Sequence, residues 1–482
     1  MREEFFMKKN FKRILCVVLC ASLLMGFSMS YSGFFETYEE WEGYFEDYKT
    51  DGAFEILFTV GADDTQRNIS WYSAESEGSK VLLSENEDLA DAVTFNADSE
   101  QTLEGDYTNR VTVTGLENGK TYYYKCVSGE KESDVRTFST MEDDNFSAMF
   151  VTDIHIQVGE EGDLSKDGFT LNDTIAKATG NADLDLIITA GDNASNGLRS
   201  EYQGLSAALG LAEGVPVAMA VGNHDRKGIA YKYFTNQPNQ YEEAKFHPYI
   251  SYDYYFVKGD ALFLMFDSNC AVMSEHRAFA QKAIEANPDV KWRVAVFHHE
   301  LYGGRLPHRE SENTLLRTIW SPIIDEFKVD LALLGHSHYY SISDVVFNNK
   351  DVTETNGLKE IVDPKGTIFM VSGSINNPRT IKDGEIPPLG TRVGHSYLTE
   401  DPIYNILNFT DDSIEIVSYT TKSDVPFESF KITKTTNEGG HPEDGTDWYD
   451  PIVRFIADVY GKIAEIAVTN DMLGKKDQLI GK

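Results

Sequence analysis

Five short apolar runs in this chain each end in a turn that carries aspartate or histidine, and that repeated junction limits the folds open to it. The runs are Ala148-Met149-Phe150-Val151, Leu184 to Thr189, Pro216 to Val221, Val294 to Phe297 and Leu331 to Leu334. After them come Asp153-Ile154-His155, Gly191-Asp192, Gly222-Asn223-His224-Asp225, His298-His299 and Gly335-His336-Ser337-His338. Runs this short and rich in branched residues read as buried strands, and the segments between them read largely as helices. Open α/β sheets gather ligands beyond the carboxyl ends of their strands. The five motifs are therefore expected to converge on one edge.

A lone Asp-x-His or Gly-Asp after a strand is ordinarily a turn. Gly-Asn-His-Asp directly after Pro-Val-Ala-Met-Ala-Val is harder to explain that way, because a turn needs no imidazole. Gly-His-Ser-His after Leu-Ala-Leu-Leu is equally hard to explain by packing. Two divalent ions about 3.5–4 Å apart can bind a phosphoryl group and activate a water between them. Such ions take imidazole and carboxylate ligands, and these motifs supply both without a thiolate.

The order D-x-H, G-D, G-N-H-D, H, G-H-x-H resembles the calcineurin-like metallophosphoesterase superfamily over roughly residues 145–435. The resemblance implies a four-layer αββα-type α/β domain. It further implies that Asp153, His155 and His338 hold one metal, that Asn223, His298 and His336 hold the other, and that Asp192 bridges them. His224 matches the histidine that contacts phosphate and protonates the leaving group, with Asp225 expected to orient it. His299 has two open readings, a lining residue of the substrate pocket or a partly exposed loop histidine. Tyr302, Arg305 and His308 fall in a Gly-containing loop that could bring a guanidinium to a phosphate, so Arg305 and His308 join His299 as candidate substrate contacts. His247, His276, His395 and His441 read as structural or exposed.

The texture changes ahead of these motifs. From Phe54 to Thr140, runs such as Phe54-Glu55-Ile56-Leu57-Phe58, Ile69-Ser70-Trp71-Tyr72 and Arg110-Val111-Thr112-Val113 are separated by Gly, Asn and Asp. That is the signature of an antiparallel sandwich, placed at residues 51–141. The stretch from Val113 to Tyr124 looks like the corner before the sixth strand of a fibronectin type III domain. The two-domain order resembles that of the purple acid phosphatases. It implies that the sandwich packs against the cleft and shapes one side of it; carbohydrate or surface binding is the rival role. Purple acid phosphatases carry a tyrosine three residues after the bridging aspartate, where this chain has Ser195, and usually a glycine where it has His155. The imidazole can fill the position the phenolate leaves, which implies a colourless enzyme using two divalent ions such as Mn²⁺, Zn²⁺ or Fe²⁺.

The chain is 482 residues long, is 41% hydrophobic and carries a formal charge of -35. That length exceeds one ordinary domain. That charge argues against nucleic-acid or anionic-membrane binding driven by general electrostatics. At the N-terminus, Lys8, Lys9, Lys12 and Arg13 precede the apolar run Ile14 to Met25, and Ser28 and Ser30 suit a peptidase. Residues 1–30 thus read as a signal peptide, too short in its apolar part to span a membrane, and the product is expected to be secreted or cell-surface associated. Leu19 before Cys20 is too large for a lipoprotein site. Removal of the signal leaves Cys126 and Cys270 in different domains, and no structural bridge is expected.

Residues 31–50 read as a helical lead in which Trp41, Tyr44, Phe45 and Tyr48 share a face. Residues 436–447 read as a polar linker, and 448–482 as an amphipathic helix and tail. The helix begins near Asp450-Pro451 and carries a stripe of Ile452, Phe455, Ile456, Val459, Tyr460, Ile463 and Ile466. Its few basic residues favour docking on a protein or at the cell surface over lying on an anionic membrane. Together the sequence predicts a secreted dinuclear phosphomonoesterase that works through a metal-bridging hydroxide. A phosphodiesterase or nucleotidase shares all these ligands, and a catalytically silent surface-binding protein is the alternative of another class.

Overall fold

Alternate residues of the strand Phe146–Val151 enter two different cores. Phe146, Ala148 and Phe150 pack between two stacked sheets, while Met149 and Val151 pack under helices. Burial on both faces is why this run and its neighbours are apolar without alternation. The computed structural model describes residues 34–50, 54–158, 163–245, 250–302, 310–379 and 393–442, with Phe455, Val459, Lys462 and Ile463 beyond them.

The five motif strands do not share one sheet, as an open α/β architecture would require. Phe146–Val151, Leu186–Thr189 and Val217–Met219 pair in parallel within an eleven-stranded sheet. Trp292–Val296 and Leu331–Leu334 pair in parallel within a seven-stranded sheet, beside Ala261–Met265 and Ile368–Val371. The inter-sheet core contains Ala148, Phe150 and Ile188 from the first sheet, and Phe263, Val294, Leu333 and Met370 from the second. Helices Leu164–Asn181 and Arg199–Leu209 cover the outer face of the first sheet. Helices Met273–Ala286 and Glu310–Glu326 cover the second. The result is a four-layer αββα domain in which the motifs meet at the common end of two stacked sheets.

The strand-rich N-terminal domain is not a closed unit. Strand Leu57–Val60 pairs in parallel with Val217–Met219 through Thr59 and Val217, so Leu57–Val60, Gln66–Ser73, Tyr107–Thr114 and Asp98–Gln101 extend the eleven-stranded sheet. A five-stranded sheet led by Lys80–Ser84 and Thr121–Ser128 faces them across a core of Ile69, Trp71, Val81, Val113, Tyr124 and Phe138. At the corner before Thr121–Ser128, the Tyr122 hydroxyl accepts the amide of Glu117 at 2.9 Å. Cys126 and Cys270 are both buried, in different cores, and do not bridge one another.

The lead helix Tyr38–Thr50 docks on helices Leu164–Asn181 and Arg199–Leu209. Trp41 donates from Nε1 to the Ser165 carbonyl at 2.7 Å and fills the space over Gly168, where a Cβ would sit 2.6 Å from its ring. Residues 436–442 are not the free linker their polarity suggests. His441 is buried, with Nε2 3.3 Å from Asp330 Oδ1, beside the ion pair of Lys434 with the same carboxylate. The signal segment lies outside the described residues, as does most of the C-terminal helix. Of its stripe, Phe455, Val459 and Ile463 are described, helical and exposed. No helix among the described residues is long and apolar enough to cross a membrane.

Candidate metal centre

The loops after the strands adopt an unusual backbone. Asp153, His155, Asp192, His336 and His338 all have positive φ, at 50°, 55°, 51°, 74° and 64°. Left-handed conformations disfavour residues with a Cβ by about 1–2 kcal/mol each and collect where side-chain direction serves function. Contacts across the chain hold them: Asp153 N donates to Gly191 O at 3.0 Å and His155 N to Asp192 O at 2.9 Å. Gly191 has a φ of 90°, and a Cβ there would lie 2.7 Å from Gly222 N. Gly335 is required differently, since a Cβ would collide with Thr152 Oγ1 and Asp153 Oδ2.

Each aspartate spends one oxygen on the backbone and aims the other at the centre. Asp153 Oδ2 accepts His336 N at 2.8 Å and Thr152 Oγ1 at 2.9 Å, whereas its buried Oδ1 has no hydrogen-bond partner. Asp192 Oδ1 accepts His224 N at 2.7 Å, leaving Oδ2 3.2 Å from His298 Nε2 and 3.6 Å from His155 Nε2. His338 Nε2 lies 3.1 Å from Asp153 Oδ1. A buried carboxylate oxygen without a donor is costly unless a cation faces it.

The histidines are arranged in the same sense. His338 Nδ1 donates to the Asn377 carbonyl at 2.6 Å and His298 Nδ1 to the Ala190 carbonyl at 2.9 Å. A carbonyl can only accept, so both rings turn Nε2 toward the centre as a lone pair, the usual preparation of a ligating imidazole. There His338 Nε2 faces His155 Nε2 at 3.3 Å, and His298 Nε2 faces His336 Nδ1 at 3.2 Å and Asn223 Oδ1 at 3.1 Å. Nitrogens opposed at that distance share either a proton or a metal ion. Three sets of ligand atoms, each within 4.8 Å of one another, result: Asp153, His155 and His338; His155, Asp192 and His224; Asp192, His298 and His336. Asp192 belongs to two of them, and the donor set fits divalent ions.

Electrostatics without ions follow from this crowding. Burial opposes ionisation of Asp153, but His338, His298 and His155 hold it well below the ordinary carboxylate range. Burial lowers His155 to about 4, whereas His298, also opposed by burial, is carried up to about 9 by Asp192. A proton on His298 there occupies the place of a cation.

The rim of the centre departs from expectation at several residues. His224 lies at the edge, its ring centroid 4.7 Å from that of His155. Asp225 does not orient it. Asp225 opens a 3-10 turn and points inward, accepting Gly222 N at 2.8 Å, Ala194 N at 3.0 Å and the Tyr202 hydroxyl at 2.7 Å. Its carboxylate therefore ties the second and third motif loops together. His224 Nδ1 instead lies 2.9 Å from the Ser195 carbonyl and 2.7 Å from Lys227 Nζ. His299 turns toward Ser268, with Nδ1 2.8 Å from its Oγ, and stands 4.7 Å from the His336 ring. It is not among the residues that line the cavity. Arg305 and His308 lie outside the described residues. Tyr302 is a core residue whose hydroxyl meets Ser321 and Asn349.

A cavity of about 450 Å³ opens on the centre. Gln157, Asp167, Asn196, Lys227, Asn376, Asn377 and Arg379 line it beside the motif residues. These seven were not singled out in the sequence. The signal for Asn376 and Asn377 was there, since the apolar run Ile368–Val371 ends in Ser-Gly-Ser-Ile-Asn-Asn as the other runs end in their motifs.

The N-terminal domain reaches this rim through one helix. Arg199, at the start of Arg199–Leu209, pairs with Asp106 and with Glu55 at 3.2 Å and lies 3.9 Å over the Tyr72 ring. Two residues on, Glu201 accepts Asn196 N at 2.9 Å and Val158 N at 3.2 Å.

Fold and centre together define a metal-dependent phosphoric ester hydrolase. Residues 146–340 match the calcineurin-like phosphoesterase family, and residues 54–140 match the purple acid phosphatase N-terminal domain. Residues 146–340 thus form a domain of calcineurin-like phosphoesterase type, preceded by one of purple acid phosphatase N-terminal type. Among solved structures it is similar to purple acid phosphatase PPD1 from yellow lupin (Lupinus luteus) seeds. The TM-score is 0.62 at 16% identity, covering 80% of this chain and 75% of that one. It is also similar to PhoD, with a TM-score of 0.51 at 13% identity, covering 86% of this chain and 97% of that one. No curated protein matches the sequence significantly.

Proposed function

We propose that this protein is an exported phosphomonoesterase working with two divalent ions. The observation that carries the reading is the pair of opposed imidazole contacts, His155 with His338 and His298 with His336, flanking a carboxylate common to two ligand sets. Asp153, His155 and His338 would hold one ion, Asn223, His298 and His336 the other, and Asp192 both. Mn²⁺, Zn²⁺ or Fe²⁺ suits imidazole and carboxylate donors. When bound, such ions neutralise the phosphoryl oxygens and supply a nucleophile from water at neutral pH.

The chain's own residues complete the chemistry. Lys227 Nζ can donate both to the Ser195 carbonyl, at 2.9 Å, and to His224 Nδ1. The tautomer in which Nδ1 accepts from Lys227 carries the His224 proton on Nε2, available to a departing alkoxide as a general acid. Asp225 keeps the loops of Asp192 and Asn223 in register. The N-terminal domain buttresses the rim through Arg199 and Glu201. Export is supported by the basic and then apolar segment Lys8 to Met25.

The test is a rate panel of monoesters, diesters, nucleotides and polyphosphate on metal-reconstituted protein, with metal content measured on the same sample. Two ions per chain and fastest turnover of monoesters are expected. Preference for diesters or nucleotides moves the reading to a phosphodiesterase or nucleotidase. Full metal content without hydrolysis makes the protein a silent binder.

A further inference from the structure

We propose that Arg379 selects substrates carrying a second anionic group on the alcohol side of the phosphate ester. The inference rests on the phosphoesterase reading and names the class of ester that reading leaves open.

Arg379 lines the cavity and has no hydrogen-bond or ion-pair partner among the described residues. Its segment is nonetheless fastened to the centre. Two residues before it, the Asn377 carbonyl accepts the His338 ring, and Asn377 N donates to Ser374 Oγ at 2.9 Å. Asn376 Nδ2 donates to the Ile154 carbonyl at 2.8 Å and to the Asp167 carbonyl at 3.2 Å, which ties the segment to the first motif loop. A guanidinium so anchored and without a protein carboxylate is suited to fork a ligand carboxylate or phosphate.

The rest of the wall narrows the ligand. Among the described residues no Phe, Tyr, Trp or aliphatic side chain lines the cavity, so it offers no apolar wall against which a nucleobase or an aryl group would pack. Gln157, Asn196, Asn376 and Asn377 present amides instead, which suit hydroxyl groups. The other lining cation, Lys227, is committed to His224 and Ser195, and Asp167 accepts the Gln157 amide at 3.0 Å. In a chain with 43 basic against 78 acidic residues, an uncommitted guanidinium in the reaction cavity offsets a general field that repels polyanions. The ligand this describes is a small, hydroxylated phosphate ester with a second acid group.

The test compares 3-phosphoglycerate with glycerol 3-phosphate, which share a three-carbon skeleton and differ by a carboxylate in place of a hydroxymethyl group. Phenyl phosphate serves as the apolar control, all on the metal-reconstituted full chain. Wild type should favour 3-phosphoglycerate in kcat/KM over both. Arg379→Ala should lower its kcat/KM roughly ten- to hundredfold more than that of glycerol 3-phosphate, chiefly through KM, and Arg379→Lys should recover part of the difference. An equal fall on all three esters would place Arg379 on the phosphoryl group or in folding, and an unchanged ratio would remove it from recognition; either overturns the inference. Hydrolysis of none by fully metallated wild type removes the phosphoesterase reading, and this inference with it.

Discussion

The Ser195 hydroxyl lies 3.2 Å from Nδ1 of His155, three residues past the shared aspartate Asp192. The pair occupies two positions at which this chain differs from the purple acid phosphatase pattern that it resembles, with serine supporting a histidine where that pattern has a tyrosine. No tyrosine lines the cavity among the described residues. Protein purified with iron present should therefore show no tyrosinate charge-transfer band in its visible spectrum. Ser195→Ala should weaken metal binding roughly tenfold or more by freeing the ring, read by chelator competition. A strong visible band would mean that another tyrosine reaches the metal.

His224 touches the site without being assigned to either ion. His224→Ala is expected to keep its metals and to lose roughly 10²–10⁴-fold in turnover. Elemental analysis beside the rate separates the two quantities. Loss of metal in this variant would recast His224 as a ligand.

Asp225 behaves as a loop tie. Burial first, and then the neighbouring Asp192, raise its carboxyl to about 6, and its acceptors serve Gly222, Ala194 and Tyr202. Asp225→Ala leaves several buried donors unpaired and should cost about 3 kcal/mol or more of stability, with metal occupancy falling alongside. Denaturant melts and metal analysis check this. Normal stability and metal content with slowed catalysis would restore the orienting role.

A pH test of stability lies in the helix Glu310–Glu326. Asp325 is buried, and its carboxylate accepts Asn348 N at 3.0 Å, yet burial pushes its pKa up to about 7. Its unfolded value is about 3.9. Because the folded value is the higher one, the protonated carboxyl is favoured by folding. Its stabilisation is fully present below about pH 4 and is lost as the pH rises through 7. Asp325→Asn should remove that slope and melt above wild type beyond pH 7, by at most about 4 kcal/mol. Melting curves from pH 4 to 9 decide it; parallel curves for the two proteins would show that Asp325 ionises freely in the fold.

The residue types of the centre were legible in the chain because strand ends leave a local mark. An apolar run stops, a glycine or turn follows, and a histidine or aspartate with no packing role stands beside it. The lead helix was legible for a similar reason, since Trp41, Phe45 and Tyr48 share a face at helical spacing. What the tertiary structure alone decided was direction and partnership. How the motif strands divide between two sheets is not legible in the residues, because parallel strands buried on both faces look alike in sequence. Leu57–Val60 joins the catalytic sheet through a single pairing with Val217, more than 150 residues away. Asp225 turns inward and Tyr302 enters the core because a loop side chain follows contacts with distant segments, and no period in its own neighbourhood encodes them. Arg379 becomes a lining residue through Asn376 and Asn377, whose bonds to Ile154 and His338 exist only once the two sheets have stacked. Composition and periodicity specify which surfaces must be buried; which polar atoms then face one another is fixed by the packing that buries them.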